Sequence, residues 1–307
     1  TDFRYTEQAT KQCEGYEVIQ YETSVMDTLV DIFNEHHIHE GLFGIEGKQM
    51  PVDTYETLCD TLDERFNFTS INFAKLRAVK REDELDLLRK AAKIGDDAFA
   101  ALLPQLKVGM TENEARIILE TEMLKRGSEE PSFATIVASG NRSSMPHGVA
   151  SDKVIEAGDF VTFDFGAVYK GYHSDMTRTI VMGPASELQK KLYSIVLEAQ
   201  KRGVAAVRAG IIGKELDAVC RDYIKEHGYT KEFNHGTGHG VGLEIHEEPV
   251  ANTKPDTVFT ENMIITVEPG IYITGTIGLR IEDSVIVKSD GYEVLTHSPK
   301  ELIEIGI

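Results

Sequence analysis

Apolar and polar positions alternate with a helical period over two long parts of the chain. From Arg81 to Leu103, apolar or small residues recur every third or fourth position until Pro104, which predicts an amphipathic helix. A shorter helix is predicted from Thr111 to Gly127, because Thr111 and Glu114 form a capping-box pattern and glycine commonly follows a helix. The long helical pattern returns from Ser186 to Arg208.

This pair of helices belongs to an internal repeat. Segments 109–127 and 210–228 are equally long, each begins and ends with glycine, and each follows a long helical stretch. Strand-like runs come after both, at 160–163 and 263–267. Two such halves bury their sheet faces most simply in one curved antiparallel sheet with helices on its outer face. We therefore predict an α+β fold of two pseudo-symmetric helix–helix–strand halves over residues 76–307.

The first part of the chain has a different pattern. Two amphipathic stretches, from Glu22 to His36 and from Asp53 to Leu62, have uneven spacing and indicate a small α/β module over residues 1–75. No combination of side chains in this module suggests chemistry. The predicted organisation is therefore a small module in residues 1–75, followed by the repeated unit in residues 76–307.

The composition and charge of the chain disfavour two classes of binding partner, nucleic acids and membranes. The 32 lysines and arginines stand against 51 aspartates and glutamates, a formal charge of −19 that repels phosphate backbones and anionic lipid. No apolar run approaches the roughly 20 residues of a membrane span, and the N-terminus does not look like a signal peptide. The three cysteines, Cys13, Cys59 and Cys220, are widely spaced and odd in number. This pattern predicts reduced thiols in a cytoplasmic protein. We expect no nucleic-acid partner and no membrane.

Carboxylates and histidines occupy matching places in the two repeats. Asp164 ends the first apolar run and Glu268 ends the second, and a further carboxylate follows in the next strand of each half. A histidine precedes each run. The set is Asp164, Asp175 and His147 from the first half, and Glu268, Glu282 and His246 from the second.

Side-chain alternation brings these groups to one face of the sheet. Within strands, Asp164 points away from Phe163 and Phe165, and Arg280 shares a face with Glu282. Carboxylates among apolar neighbours are costly to bury unless they are paired. Because two divalent cations balance four negative charges, the pattern predicts a two-metal site with ions about 3.5–4 Å apart.

One residue breaks the symmetry. His239 lies in a glycine-rich segment, 235–242, and its counterpart in the first half is Ala138. A neutral imidazole on one side only would make the two metal positions inequivalent. The glycines around it allow close approach of the backbone.

Each motif alone has an ordinary alternative. Residues 268–270 (Glu-Pro-Gly) could be a turn, and residues 164–166 (Asp-Phe-Gly) occur in kinases, but no kinase catalytic-loop motif accompanies them. Segment 235–242 does not satisfy the G-x-G-x-x-G pattern of dinucleotide sites. The order of the motifs across two repeats favours the metal site.

These motifs closely resemble those of the pita-bread metallopeptidases, in particular the branch of aminopeptidase P and proline dipeptidase. The resemblance covers nearly the whole chain and is carried by residues 136–140 with 146–148, 171–175, 235–242, 268–270 and 280–283. It implies the pita-bread fold over residues 76–307. Residues 1–9 (TDFRYTEQA) look like a motif partway through the family's N-terminal domain, so residues 1–75 resemble part of that creatinase-like domain.

The resemblance also implies a role for each candidate residue. Asp164 would bind one metal, Asp175 and Glu282 would bridge both, and His239 with Glu268 would complete the other. The implied ion is Mn²⁺, although an oxygen-rich site also accepts Co²⁺ or Zn²⁺. The remaining implied catalytic groups are His147, His246, His235 and Arg280.

The implied activity is hydrolysis of the Xaa-Pro bond at the N-terminus of peptides or dipeptides. A hydroxide bridging the metals would attack the scissile carbonyl after Glu268 accepts a proton, and a histidine would stabilise the oxyanion. Peptides with proline in second position are the expected substrates, and a homodimer is the expected assembly. The sequence leaves open whether dipeptides or longer peptides are preferred.

Other relatives of this fold remain as alternatives. Methionine aminopeptidase is the nearest, because it shares the fold and the ligands. Creatine amidinohydrolase is a weaker match because those enzymes lack the full ligand set. Some relatives have lost catalysis and act as binding proteins, including on nucleic acid, which the five ligand positions and the charge of −19 disfavour.

Overall fold

A computed structural model describes residues 1–254 and 256–306 of the chain. Its contacts divide the chain into two compact units, residues 1–73 and 74–307. In the described part, no helix combines the length and the apolar character needed to cross a bilayer.

The first unit is a small α/β structure. Its elements, in order, are α1 (Thr6–Gln12), α2 (Val25–Glu35), β1 (Gly41–Ile45), α3 (Val52–Leu62) and β2 (Phe66–Ser70). Strands β1 and β2 pair in parallel. Leu58, Leu62 and Phe66 form its buried centre, and Phe33 stacks on Phe43 with ring centroids 5.1 Å apart. The predicted α/β character of this region is confirmed.

The first half of the second unit contains one short helix, two longer helices and five strands. After α4 (Ala74–Ala78) come α5 (Glu82–Leu102) and α6 (Glu112–Lys125), close to the predicted bounds. Short 3₁₀ turns follow α5 and β3, at Leu103–Gln105 and Gly140–Ser144. The strands are β3 (Ile136–Ser139), β4 (Phe160–Phe165), β5 (Val168–Tyr169), β6 (Tyr172–His173) and β7 (Met176–Met182).

The second half repeats this order. Helices α7 (Glu187–Ala206) and α8 (Gly213–Glu226) precede a second set of strands. These are β8 (Gly238–Gly240), β9 (Glu247–Ala251), β10 (Ile264–Val267), β11 (Gly270–Ile273), β12 (Ile277–Arg280), β13 (Asp283–Lys288), β14 (Gly291–Val294) and β15 (Glu304–Ile305). The predicted repeat of helix, helix and strands is therefore present.

Hydrogen bonding divides the strands into several ladders. The largest has the order β15-β7-β4-β3, the next has β10-β13-β14, and β11-β12, β8-β9 and β5-β6 form pairs. Within these ladders the neighbours are antiparallel, except that β15 runs parallel to β7. The curved antiparallel layer is thus built from separate ladders rather than from one continuous one.

The helices pack against this layer, and their contacts with it form two large hydrophobic cores. In the first half, Phe99 of α5 packs on Phe163 and Phe165 of β4, with ring centroids 5.9 and 5.7 Å apart. In the second half, α7 approaches α8 and β10 so closely that a Cβ on Gly203 would lie 2.5 Å from the Cys220 sulfur. Because the aromatic rings of β4 face α5, Asp164 between them faces the opposite side of the sheet.

Strands of opposite halves meet at the centre of the unit. The Glu282 amide donates to the Thr177 carbonyl of β7 (3.1 Å), and Thr179 and Arg280 exchange two hydrogen bonds. Beside them, the buried Arg178 guanidinium donates to Asp283 of β13 (2.7 Å). The Asp283 carboxylate also accepts from Lys300 (2.5 Å). Although burial acts to raise the pKa of Asp283, the charges of Arg178 and Lys300 lower it below its ordinary value, so the carboxylate is charged and paired.

Removing the Arg178 side chain should strongly destabilise the protein. Arg178→Met deletes one partner of a buried ion pair, and such a loss costs about 3–5 kcal/mol in free energy of unfolding. Lys190→Met, which removes an exposed ion pair with Glu187, should change it by less than about 1 kcal/mol. Urea denaturation of both variants measures the difference. Equal destabilisation would contradict this role of the Arg178–Asp283 pair.

Candidate metal centre

The nine predicted site residues line a single cavity of about 450 Å³ in the second unit. Each reaches the cavity from a strand or from a loop that adjoins one. The four carboxylates come from β4, from the residue before β7, from the residue after β10 and from the turn between β12 and β13: Asp164, Asp175, Glu268 and Glu282. The others are His147, His235, His239, His246 and Arg280.

Asp175, His239 and Glu282 form the tightest group. One potential ligand atom from each lies within 4.8 Å of the other two. The His239 Nε2 atom is 3.5 Å from Asp175 Oδ2 and 3.5 Å from Glu268 Oε1. Asp164 lies beside this group and is bonded to the Arg280 guanidinium.

The His239 ring has a fixed orientation. Its Nδ1 atom lies 3.0 Å from the Gly240 carbonyl oxygen, so Nδ1 carries the proton and Nε2 keeps its lone pair towards the carboxylates. The Thr266 hydroxyl accepts from the His239 amide (3.0 Å) and donates to Glu268 (3.3 Å). Close backbone approach is required here, since a Cβ on Gly238 would lie 1.7 Å from the Thr266 carbonyl oxygen. The glycine-rich segment therefore has the role that its sequence predicted.

Arg280 is the buried cation of the cavity. Its guanidinium is bonded to Asp164, donates to Tyr272 Oη (2.7 Å) and the Pro146 carbonyl (3.1 Å), and its Nε donates to Thr177 Oγ1 (3.0 Å). The Thr177 hydroxyl in turn donates to Glu282 Oε2 (2.7 Å). Tyr272 Oη also lies 3.1 Å from His235 Nε2, which joins that histidine to the network.

Burial and mutual repulsion oppose the charge on these carboxyls. Burial, then the charges of Glu282, Asp164 and Glu268, raises the pKa of Asp175 well above its ordinary value. The pKa of Glu282 is raised for the same reasons. Burial raises the pKa of Glu268 to about 8, against the opposing effect of Arg280. Without further positive charge the cluster would therefore retain protons at neutral pH.

Burial disfavours the charged form of three histidines, His235, His239 and His246. Burial is the largest cause of the lowered pKa of His235, to about 3, followed by the charge of Arg280. Burial is also the largest cause of the lowered pKa of His239 and of His246. His147 and His246 are exposed at the cavity. Neutral imidazoles can act as metal ligands or hydrogen-bond donors.

The donor set fits divalent cations. Asp164 Oδ1, Asp175 Oδ1 and Glu282 Oε1 are buried, and each lacks a hydrogen-bond partner among the described residues. Buried polar atoms normally have partners, so unpaired carboxylate oxygens aimed into one cavity indicate a cation. Carboxylate oxygens with one imidazole suit Mn²⁺ and related divalent metals.

Several contributing residues escaped the sequence analysis. Tyr272, Thr177 and Thr266 bond to the predicted residues but follow no motif. Glu112 and Asp217 are buried carboxylates that hold the loops carrying the histidines. The sequence pattern around each has an ordinary explanation. Glu112 lies in the first turn of its helix, where the helix dipole stabilises an acidic side chain, and Asp217 with Arg221 forms an i,i+4 pair of the kind found on exposed helix faces.

Both regions of the chain match known protein families. Residues 86–289 match the model of metallopeptidase family M24, and residues 1–79 match the creatinase/prolidase N-terminal domain. The peptidase YqhT of Bacillus subtilis is 45% identical over 304 residues, which cover 99% of this chain and 86% of that protein.

Solved structures agree with these matches. A Bacillus anthracis protein described as an Xaa-Pro dipeptidase has a TM-score of 0.95 and 50% identity, covering 100% of this chain and 85% of that one. A Thermotoga maritima X-Pro aminopeptidase has a TM-score of 0.92 and 39% identity, covering 100% of this chain and 86% of that one. The expected fold class, with the pita-bread domain preceded by a creatinase-type N-terminal region, is confirmed.

The metal-free protein should lose stability as the pH rises from about 6.5 to about 8. The Glu268 carboxyl has a pKa of 4.5 when unperturbed and about 8 in the fold. Below about pH 6.5 the buried histidines oppose this effect, because their unperturbed pKa of 6.5 is lowered in the fold. Above that pH the histidines are neutral in both states while the folded Glu268 carboxyl keeps its proton, so the free energy of unfolding falls with rising pH. Urea denaturation in a chelator at about pH 6.5 and about pH 8 measures this slope.

Two comparisons check the origin of that slope. Glu268→Gln should reduce it, whereas Glu122→Gln, which alters a surface ion pair, should leave it unchanged. Added Mn²⁺ should restore stability most at the higher pH, because the cation replaces the protons. An unchanged slope in Glu268→Gln would contradict the assignment.

Proposed function

Because the chain belongs to metallopeptidase family M24, we propose that it is a metallo-exopeptidase that hydrolyses the Xaa-Pro bond at the N-terminus of peptides, using two divalent cations. The observation that carries the proposal is the cavity in which four carboxylates and His239 converge and three buried carboxylate oxygens lack a partner in the described part of the chain. The Bacillus anthracis and Thermotoga maritima proteins, described as an Xaa-Pro dipeptidase and an X-Pro aminopeptidase, support the Xaa-Pro specificity.

The five proposed ligands would hold two ions. Asp164 would bind one ion, His239 and Glu268 would bind the other, and Asp175 with Glu282 would contribute to both. The negative charges of four carboxylates would balance two divalent cations, which would relieve the repulsion that raises the pKa of Asp175 and Glu282. Mn²⁺ is the proposed ion, since oxygen ligands dominate the set, and Co²⁺ or Zn²⁺ would also be accepted.

The proposed ions supply two kinds of chemistry when bound: a lowered pKa for the attacking water and polarisation of the scissile carbonyl. Glu268 accepts the proton of that water. It is the most accessible of the four carboxylates, with its side chain 17% exposed against 11% for Asp164 and 6% for Asp175. The Thr266 hydroxyl orients the Glu268 carboxylate by donating to Oε1 (3.3 Å).

The exposed histidines suit the oxyanion. His147 and His246 line the cavity from opposite halves of the repeat, and either imidazole N–H can donate to the carbonyl oxygen as negative charge develops. His235 is too strongly desolvated to become charged, and through Tyr272 it helps to hold Arg280. Arg280 keeps the Asp164 carboxylate oriented and bonds the backbone next to His147.

A site that makes no use of the scissile N–H can accept proline at the second position. The Xaa-Pro bond is a tertiary amide, so an enzyme that hydrogen-bonds the scissile N–H loses that contact. The proposed site acts on the carbonyl and requires no such donor. The departing proline nitrogen must gain a proton, which Glu268 can return after accepting it from water.

A substrate comparison tests the proposed activity. The Mn²⁺-loaded protein should release alanine from Ala-Pro and Ala-Pro-Ala-Ala, with kcat/KM at least roughly 100-fold above that for Met-Ala-Ala. Mass spectrometry follows the products, and a chelator should abolish release. Preferential cleavage of Met-Ala-Ala would favour a methionine aminopeptidase instead, and hydrolysis of none of the three would refute the proposal.

Paired variants separate metal binding from oxyanion stabilisation. Asp175→Asn should lower the number of bound ions, measured by elemental analysis of the dialysed protein, because it removes a proposed shared ligand. His147→Ala should keep the ions while kcat falls about 100-fold or more, as for loss of an oxyanion donor. Loss of metal from His147→Ala, or full metal content in Asp175→Asn, would show that these roles are wrongly assigned.

A further inference from the structure

Glu112 is a fully buried carboxylate at the first residue of α6, outside the cavity. Its Oε1 atom accepts from the Ser139 amide (2.7 Å) and the Ser139 hydroxyl (2.8 Å). Its Oε2 atom accepts from the Ser151 amide (3.1 Å) and the Ser151 hydroxyl (2.7 Å) and is ion-paired with Arg142. One side chain thus satisfies donors at three points of the same segment.

The segment held in this way contains His147. It begins at Ser139, the last residue of β3, and returns to Glu112 at Ser151. The Arg142 guanidinium spans it internally by donating to the Val149 carbonyl (2.9 Å) as well as pairing with Glu112. Because both ends bond to one carboxylate, their separation is set by the width of that carboxylate group. We call residues 139–151 the His147 segment.

The far side of the His147 segment bonds to the other half of the repeat. The Ser143 hydroxyl accepts from the Gly278 amide (2.9 Å), and the Ser144 hydroxyl accepts from the Gly275 amide (3.0 Å). The Pro146 carbonyl, next to His147, accepts from Arg280 (3.1 Å). The segment therefore lies between Glu112 on one side and the strands that carry Arg280 on the other.

The second half contains a comparable arrangement. Asp217 of α8 is buried, accepts from the Thr237 amide (3.1 Å) and hydroxyl (3.0 Å), and pairs with Arg221. Arg221 donates to the His235 carbonyl (2.6 Å). In both halves, a buried carboxylate on the second helix binds both the amide and the hydroxyl of a Ser or Thr in a chain segment that leads to the site histidines. Burying a carboxylate is costly unless hydrogen bonds compensate for the lost water. Because Glu112 and Asp217 are both buried in this way, we infer that their hydrogen bonds fix the positions of the bonded segments.

We propose that Glu112 is a positioning residue for the reaction: by fixing the His147 segment it holds the His147 imidazole where the oxyanion develops. This role rests on the proposed function. Glu112 does not touch the cavity, so its effect on turnover must pass through His147. Small displacements of a catalytic group of this kind reduce rates strongly, up to about 100-fold for a shift near 1 Å.

Glu112→Gln tests the role with little change of volume. The glutamine amide group would face backbone N–H donors that cannot reverse, and Arg142 would lose its ion pair. We expect kcat to fall by about 10- to 100-fold, with KM and bound metal little changed. Glu120→Gln is the matched control, because Glu120 lies on the same helix and pairs only with Arg116 among the described residues. It should leave kcat unchanged.

A double-mutant cycle separates positioning from general stabilisation. In a His147→Ala background, Glu112→Gln should have little further effect on kcat, because the group it positions is gone. Multiplicative losses, or a loss of metal in Glu112→Gln, would overturn the proposal. If Glu112→Gln does not fold, Ser151→Ala removes a single bond to the same carboxylate and should show the same coupling to His147 with a smaller loss of about 2- to 5-fold.

Hydrogen exchange distinguishes this inference from the proposed function. Peptides covering the His147 segment should exchange about tenfold faster or more in Glu112→Gln than in Glu120→Gln, while those covering 233–240 should not change. If the wild-type protein hydrolyses no Xaa-Pro peptide, the proposed function fails, and exchange alone decides whether Glu112 fixes the segment. Unchanged exchange in the His147 segment, or a rise across the whole unit, would overturn the proposal.

Discussion

Repulsion among four carboxylates in one cavity is the constraint to which the surrounding structure responds. Asp175 and Glu282 are almost fully buried, and burial together with neighbouring charge raises the pKa of both. Arg280 neutralises part of this charge through Asp164, and Thr177 donates a hydrogen bond to Glu282. These contacts leave carboxylate oxygens without partners in the described part of the chain, which is why the cluster suits cations and would be unfavourable without them.

The duplicated architecture is what brings so much charge together. Each half places carboxylates at strand ends near the centre of the unit, where a strand of one half bonds to the turn of the other through Thr177 and Glu282. The same region contains the buried Arg178–Asp283 pair, so the positions of the two halves are set by polar contacts as well as by packing. Neither half alone would supply the charge or the geometry of the site.

The side chains of the cavity differ in their exposure to solvent. Asp164 bonds to Arg280, and Glu268 and Glu282 accept hydrogen bonds from threonine hydroxyls, whereas His147 and His246 are exposed. The buried groups obtain their orientation from the strands. An exposed histidine in a loop has no such support, and the contacts of Glu112 with residues 139–151 supply it from outside the cavity.

Local periodicity in the chain was sufficient for the four long helices of the repeat and for strands β4 and β10, because each depends on neighbouring residues. The matching positions of acidic groups and histidines, together with the family resemblance, were sufficient to select nine side chains that line one cavity. Only the three-dimensional structure identifies the residues that hydrogen-bond to these nine side chains and to the loops that carry them. Arg280 bonds Asp164 from 116 positions away, and Glu112 bonds Ser139 from 27 positions away. Pairings over such separations leave no period or spacing in the sequence, since they depend on how the completed halves pack.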